Sequence, residues 1–167
     1  TSKVFIAPVP VDLGFFKPSN VKKDIDVICV ARLEKQKNIP LLVKTLAQVK
    51  NHHPTLNAVF VGEGRQRRKV EKEIKRLGLT KTVLLTGRVG REKVRSLLAK
   101  SRIFVLPSNY EGWGLSAVEA AACGLPVVMT DTGGAREIVD NGITGYVVPA
   151  ADELKLTEKI TVLINNQ

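Results

Sequence analysis

The sequence predicts an α/β fold, a Rossmann-like three-layer domain whose mostly parallel sheet is covered by helices on both faces. Apolar runs typical of strands alternate with amphipathic helical patterns along almost the whole chain. These runs are continuously apolar, which favours strands buried on both faces. The 167 residues and the 44% hydrophobic content suffice for one substantial core.

Six strands are predicted from the apolar runs. Ligands of such open sheets bind outside the carboxyl ends of the strands, so the loops that follow the runs are the candidate site. The predicted strands are residues 26–31, 57–62, 82–87, 102–107, 126–130 and 146–148.

Helical patterns fill the segments between the strands. The first has apolar residues at helical spacing over 39–49, with Pro40 in its first turn, where a missing amide hydrogen is tolerated. Gly78 and Gly124 stand where helices would end in a left-handed residue. Further helices are predicted over 65–76, around Val94, over 115–124 and over 152–167.

The chain is strongly basic. It has 26 Lys and Arg residues against 16 acidic ones, a formal charge of +10, which favours an anionic partner. Nucleic acid is the least favoured, because aromatic residues make up only 5% and none interleave with basic ones. The segment 65–76 is predicted to dock on the core through the apolar stripe Val70, Ile74 and Leu77 and to expose a solvated basic face. Contact with a membrane surface is the alternative for this helix.

Several features bear on location and completeness. No apolar run approaches the roughly 20 residues that span a bilayer. Cys29 and Cys123 lack metal-ligand spacing and are interpreted as buried free thiols of a reducing compartment, which favours a cytoplasmic protein.

The chain opens at Thr1 without a signal-peptide pattern, so we expect a piece of a longer protein. Residues 1–23 are predicted to be an interdomain connector, and residues 24–167 the domain itself.

Two cations follow the first predicted strand. In RLEKQKN, Arg32 and Lys37 lie on a strand-to-helix connection, next to the positive end of a helix. Such a pair suits a diphosphate, since Arg grips oxygens bidentately and Lys adds a point charge. Taken alone, exposed loop cations are more often simply solvated.

Two glycine-rich turns have less specific meanings. VGEGRQRR resembles a dinucleotide-binding turn, but Arg67 stands where the third glycine is needed, which argues against a nicotinamide cofactor. Gly62 and Gly64 are therefore predicted only to turn the chain. Gly133 and Gly134 in TDTGGAREI either serve a turn or let the backbone approach a ligand.

The segment NYEGWGLSAVEAAACG carries two glutamates. Glu111 falls in the loop after a strand, and Glu119 about one turn into the next helix, from which its side chain can point back toward the same crevice. Gly112 and Gly114 leave the amides at the helix start accessible to phosphate oxygens. The alternative, in which Glu111 caps the helix and Glu119 faces solvent, leaves Glu119 poorly explained among small packed residues.

These motifs together resemble the C-terminal, donor-binding domain of the retaining glycosyltransferases of family four, one half of the GT-B architecture. The similarity spans nearly the whole chain, from PVPVDLGFFKP through ARLEKQKN, VGEGR, LTGRV and FVLPSNYEGWGLSAVEAAACGLPVVMTDTGGAREIV to NGITGYVV. The departures are mild: Asn38 replaces a common glycine, and Trp113 replaces a common phenylalanine.

The resemblance implies roles for individual residues. Arg32 and Lys37 would bind the donor diphosphate, Glu111 would lie by the transferred sugar, and Glu119 would hold the ribose hydroxyls. Catalytic roles are implied for Arg32, Lys37 and Glu111. The remaining donor contacts implied are Arg88 and Val89 at the base, and Gly112, Trp113, Gly114 and Leu115 at the phosphate or sugar.

The resemblance also implies the reaction and the partners. The donor would be a UDP-, GDP- or ADP-sugar, used without metal or cofactor, and the acceptor a saccharide or a lipid-linked molecule. An N-terminal acceptor domain would lie outside this chain, so the chain alone would bind nucleotide weakly and transfer little. The alternatives are a nucleotide-sugar epimerase and a non-catalytic binding module for nucleotide sugars or membrane surfaces.

Overall fold

The computed structural model describes residues 10–166, which contain a sheet of six parallel strands. All six predicted strands are confirmed, and each boundary differs from its prediction by no more than one residue. The strands are β1 (Ile25–Val30), β2 (Ala58–Val61), β3 (Val83–Gly87), β4 (Ser101–Leu106), β5 (Val127–Thr130) and β6 (Gly145–Val148).

Six α-helices lie between and after the strands within the same residues. Pro40 occupies the first turn of α1 as predicted, and Gly78 and Gly124 have the expected positive φ after α2 and α4. A short 3₁₀ turn, Lys35–Lys37, precedes α1. The helices are α1 (Ile39–His52), α2 (Arg67–Arg76), α3 (Arg91–Ala99), α4 (Leu115–Ala122), α5 (Ala135–Ile138) and α6 (Glu153–Asn165).

The core has two parts, one on each face of the sheet. Along β1, Val27 and Cys29 face one part, and Ile28 and Val30 face the other, which accounts for its unbroken apolar run. Helices α1, α2 and α6 cover the first face, and α3, α4 and α5 cover the second. The prediction that the segment docks through Val70, Ile74 and Leu77 is confirmed, since the first two are buried and Leu77 packs partly buried against the same part of the core.

The predicted connector falls partly outside the described residues, since residues 1–9 are not described. Within residues 10–23, Phe16 is buried in the core beside α3 and α4. Its neighbour Phe15 lies under the guanidinium group of Arg91. The boundary at residue 23 stays a prediction.

The strand order β3-β2-β1-β4-β5-β6 places the candidate loops. The chain builds the sheet outward from β1 through β3, then returns to pair β4 with the other side of β1. The loops after β1 and β4 therefore leave the sheet in different directions and open a crevice between them. Arg32 and Lys37 lie on the first of these loops, and Glu111 on the second.

Candidate functional site

A buried ion pair joins the two loops that flank the crevice. Nζ of Lys37 lies 2.6 Å from Oε1 of Glu111, and the two side chains are only 14% and 6% exposed. Burying two charges is tolerated when they are paired and further hydrogen-bonded. This contact was not predicted from the sequence, which assigned the two residues separately to phosphate and sugar.

Further hydrogen bonds fix Glu111 in place. The buried Ser108 hydroxyl donates to the same Oε1 at 2.7 Å. The hydroxyl of Thr130, at the end of β5, donates to the carbonyl of Ser108. Within residues 10–166, both bonds to the carboxylate end on Oε1, so Oε2 is left for another donor. A sugar hydroxyl is a donor of the right kind.

The same loops are also joined through their backbones. The amide of Asn109 donates to the carbonyl of Gln36 at 2.7 Å, and Nδ2 of Asn38 donates to Oδ1 of Asn109 at 3.0 Å. Asn38 has a φ of 47°, a left-handed conformation that asparagine tolerates better than most residues. This explains how asparagine can stand at a position where the family resemblance leads us to expect glycine.

Arg32 lies on the surface immediately after β1, and its loop packs tightly on the loop after β2. A Cβ added at Gly62 would lie 1.9 Å from the carbonyl oxygen of Ala31, and one at Gly64 would lie 2.4 Å from that of Leu33. The prediction that these glycines only turn the chain is therefore wrong. They allow the backbone contact that holds the Arg32 loop.

The start of α4 presents free amides beside Glu111. Gly114 precedes the helix with a φ of 92°, which glycine adopts without strain. The amide of Ala117 donates to the carbonyl of Gly114, so the amides of Leu115 and Ser116 lie ahead of the first helical bond. Gly112 is exposed, and a Cβ there would meet nothing within 4 Å. Amides at such a helix start suit an anionic oxygen.

Glu119 is half-buried on α4, as its small neighbours predicted. Burial raises the pKa of its carboxyl, and the charge of Arg91 at the start of α3 opposes this effect. The carboxyl of Glu119 is therefore within reach of the charge at the start of α3. Within the described residues no hydrogen bond joins Glu119 to Glu111, and their common crevice stays a prediction.

Arg88 and Val89 lie between β3 and α3, at the same edge of the sheet. Arg88 is exposed, and Val89 is half-buried against the core. The loop of Arg88 and Val89 leads into the start of α3, and the charge of its first residue, Arg91, is the one that acts on Glu119.

Trp113 and the glycine-rich turn after β5 pack on each other. A Cβ at Gly134 would lie 2.7 Å from the Trp113 ring, and one at Gly133 would lie 2.5 Å from the carbonyl oxygen of Glu111. The two options left open for these glycines were turn chemistry and approach to a ligand. The structure adds a third role, close packing that supports the Glu111 loop. Nε1 of Trp113 is buried and has no hydrogen-bond partner among the described residues.

Cys29 lies in β1 beneath the ion pair. Both thiols are buried and free, as predicted. Burial raises the pKa of the Cys29 thiol to about 12, with Glu111 adding to this effect and Lys37 opposing it. The thiol of Cys29 therefore stays protonated at neutral pH and is a poor nucleophile.

Acidic, His and Cys side chains are scattered through residues 10–166. That part of the chain contains no group of three or more of them able to hold a metal ion. None of its helices is long and apolar enough to cross a membrane.

Comparisons with known proteins agree on one family. The family model described as Glycosyl transferases group 1 matches residues 12–167. A curated relative from Arabidopsis thaliana, one of the subunits of phosphatidylinositol N-acetylglucosaminyltransferase, is 31% identical over 156 residues. The match covers 92% of this chain and 35% of that protein, so the chain spans about a third of the relative's length.

Solved structures share the fold. HepE of Anabaena, solved in complex with UDP-glucose, aligns with a TM-score of 0.83 at 27% identity and covers 93% of this chain and 46% of its own. The C-terminal domain of the group 1 glycosyl transferase LpcC from Francisella tularensis aligns with a TM-score of 0.84 at 26% identity. That match covers 93% of this chain and 88% of the LpcC domain, so the predicted resemblance to the C-terminal half of a GT-B enzyme is confirmed.

Proposed function

The chain belongs to the group 1 glycosyl transferases, and we propose that it is the domain of such an enzyme that binds the nucleotide-sugar donor. The observation that carries this proposal is the Lys37–Glu111 ion pair at the crevice between β1 and β4. The pair joins a cation and a carboxylate, and the chain that carries Glu111 runs on through Gly114 into the start of α4, whose first amides would complete the site. A phosphate joined to a sugar needs all three kinds of group.

The diphosphate would be held by Arg32, Lys37 and the amides of Leu115 and Ser116. When the glycosidic bond breaks, the leaving nucleoside diphosphate gains negative charge. Cations and amides fixed in advance then stabilise the transition state more than the ground state. Because the protein supplies these positive groups, we propose that donor binding needs no metal ion.

The sugar would lie against Glu111. Its Oε1 is occupied by Lys37 and Ser108, and Oε2 would accept a hydrogen bond from a sugar hydroxyl. Glu119 would accept hydrogen bonds from the ribose, and the Arg88–Val89 loop would contact the base. We propose transfer with retention of the anomeric configuration, on the strength of the family-four motifs around Glu111 and Glu119.

Of UDP, GDP and ADP, we propose UDP as the nucleotide of the sugar donor. HepE, a structural relative at 27% identity, was solved with UDP-glucose.

For the acceptor we favour a lipid, because the Arabidopsis relative is named for transfer to phosphatidylinositol. An acceptor domain outside this chain, and catalysis that requires it, are part of the same proposal.

Titration of the chain with UDP, GDP and ADP tests the donor proposal. Trp113 is the only tryptophan and lies in the site, so its fluorescence reports binding directly. We expect UDP to change the emission in the presence of EDTA as strongly as in its absence. Equal responses to all three nucleotides would contradict the proposed base, and loss of binding in EDTA would contradict metal independence.

A further inference from the structure

The outer face of α2 is almost uniformly basic. Val70 and Ile74 bury the inner face, and the opposite side, together with the preceding Arg65, exposes six basic side chains and one acidic one. The acidic residue, Glu71, already accepts a hydrogen bond from Arg67 at 2.8 Å. The partly buried Glu73 pairs with Arg76 at 2.7 Å, so five of the six basic side chains have no ion-pair partner among the described residues. We call this surface the basic face; its members are Arg65, Arg68, Lys69, Lys72, Lys75 and Arg76.

We propose that the basic face docks the protein on an anionic lipid bilayer. Basic residues close to a negatively charged leaflet each add to binding, and several in one plane act together. None of the exposed large apolar side chains of the described residues lies on α2, so the contact would be electrostatic and on the surface of the bilayer, without insertion. This inference rests on the proposed transfer to a lipid acceptor and identifies how the enzyme would reach it.

The basic face begins beside the donor site. The amide of Arg65 donates to Oε1 of Glu34 at 3.2 Å, and the amide of Gln66 donates to the carbonyl of Leu33 at 2.7 Å. Glu34 and Leu33 belong to the loop that carries Arg32 and Lys37. A bilayer bound to α2 would therefore adjoin the loop that is proposed to hold the diphosphate.

The basic surface of α3 is less suited to this contact. Helix α3 lies on the opposite face of the sheet, and its arginines are partly engaged within the molecule. The guanidinium of Arg91 lies 4.3 Å from the centre of the Phe15 ring, and that of Arg95 lies 5.2 Å from it. The basic face of α2 also has no aromatic residue on which bases could stack, which disfavours single-stranded nucleic acid as its partner.

Co-sedimentation of the chain with vesicles tests the proposal. The vesicles would contain phosphatidylcholine alone or phosphatidylcholine with phosphatidylserine. The test variant replaces three exposed residues of the basic face: Arg68→Gln, Lys72→Gln and Lys75→Gln. The matched control removes three charges from the other side of the sheet: Lys17→Gln, Lys93→Gln and Lys100→Gln. Titration with UDP accompanies each variant, since it reports on the donor site independently of lipid.

The expected result is binding to the anionic vesicles alone, weakened by salt and reduced about 100-fold in the basic-face variant. The control variant should lose far less, and both variants should bind UDP as the unmodified chain does. Absence of vesicle binding, or an equal loss in the control, would overturn the proposal even if UDP binding is intact. Retention on duplex DNA at salt concentrations that release the vesicles would also overturn it. Failure of the unmodified chain to bind UDP would instead contradict the proposed function.

Discussion

Nζ of Lys37 lies 2.6 Å from Oε1 of Glu111, and this ion pair joins the loops that follow the adjacent strands β1 and β4. The loops are thereby fixed to each other at the one place where the strand order reverses. Lys37 is thus positioned by the residue proposed to contact the sugar. Donor phosphate and donor sugar would be bound by parts of one connected unit.

Lys37→Met is expected to destabilise the domain by about 3 kcal/mol, because it leaves the buried carboxylate of Glu111 without its cation. The double variant Lys37→Met with Glu111→Gln should recover part of that loss, since no unpaired charge remains. Urea unfolding monitored by circular dichroism measures both.

Arg76→Met is the matched control for that experiment. It removes the exposed Arg76–Glu73 pair, whose atoms lie 2.7 Å apart. Surface pairs contribute at most about 1 kcal/mol, so the control should change stability little. If Lys37→Met and Arg76→Met lowered the free energy of unfolding by similar amounts, the Lys37–Glu111 pair would not be held in a buried environment.

Glu119→Gln is expected to stabilise the domain at neutral pH and weaken nucleotide binding. Burial raises the pKa of Glu119, so its carboxyl favours the folded state only while protonated. That contribution is complete below about pH 4 and is lost as the pH rises through the raised folded-state pKa. The variant should therefore gain stability over the unmodified chain at neutral pH, and the gain should vanish in acid. Urea midpoints at the two pH values measure it, and a gain that persists in acid would contradict the account.

Gly64→Ala is expected to cost about 1 to 3 kcal/mol through overpacking and to weaken nucleotide binding by displacing the Arg32 loop. The added Cβ would lie 2.4 Å from the carbonyl oxygen of Leu33. Gly112→Ala is the control for stability, because its Cβ would meet nothing within 4 Å, and its effect should stay within about 0.5 kcal/mol. Thermal unfolding compares the two. A stable Gly64→Ala variant with unchanged UDP binding would show that the glycine contact does not hold the loop.

Cys29 is expected to resist thiol reagents in the folded protein. Its pKa of about 12 leaves almost no thiolate at neutral pH, and the side chain is buried in β1. A Cys123→Ser variant leaves Cys29 as the only thiol, so labelling with Ellman's reagent can be assigned to it. The label should appear only when urea unfolds the chain. Rapid labelling without denaturant would contradict the described packing of β1.

The sequence predicted the strands to within one residue because strands buried on both faces must be apolar throughout. It also placed Glu111 in a loop and Glu119 in a packed helix, since glycine and small residues mark those positions. The Lys37–Glu111 contact could not be predicted, because the two residues lie 74 positions apart in the sequence and meet only through the pairing of β4 with β1.

The close backbone contacts of the site were missed for a related reason. Gly62 and Gly64 look like turn residues until the neighbouring loop is known. Gly133 and Gly134 look the same until the carbonyl of Glu111 and the ring of Trp113 are placed against them. A glycine required for a turn cannot be distinguished in the sequence from a glycine required for close backbone contact. Only the spatial order of the strands distinguishes them.

Calorimetric titration of the chain with UDP, repeated for Arg32→Gln, Glu119→Gln and the control Lys93→Gln, tests whether Arg32 and Glu119 belong to a donor-binding site. We expect one binding site for UDP, weakened about tenfold or more in the first two variants by the loss of charge-assisted or ribose hydrogen bonds. The control, on the outer part of α3, should bind as the unmodified chain does. Absence of UDP binding at millimolar concentration, or binding that neither Arg32→Gln nor Glu119→Gln weakens, would contradict the assignment of the donor site.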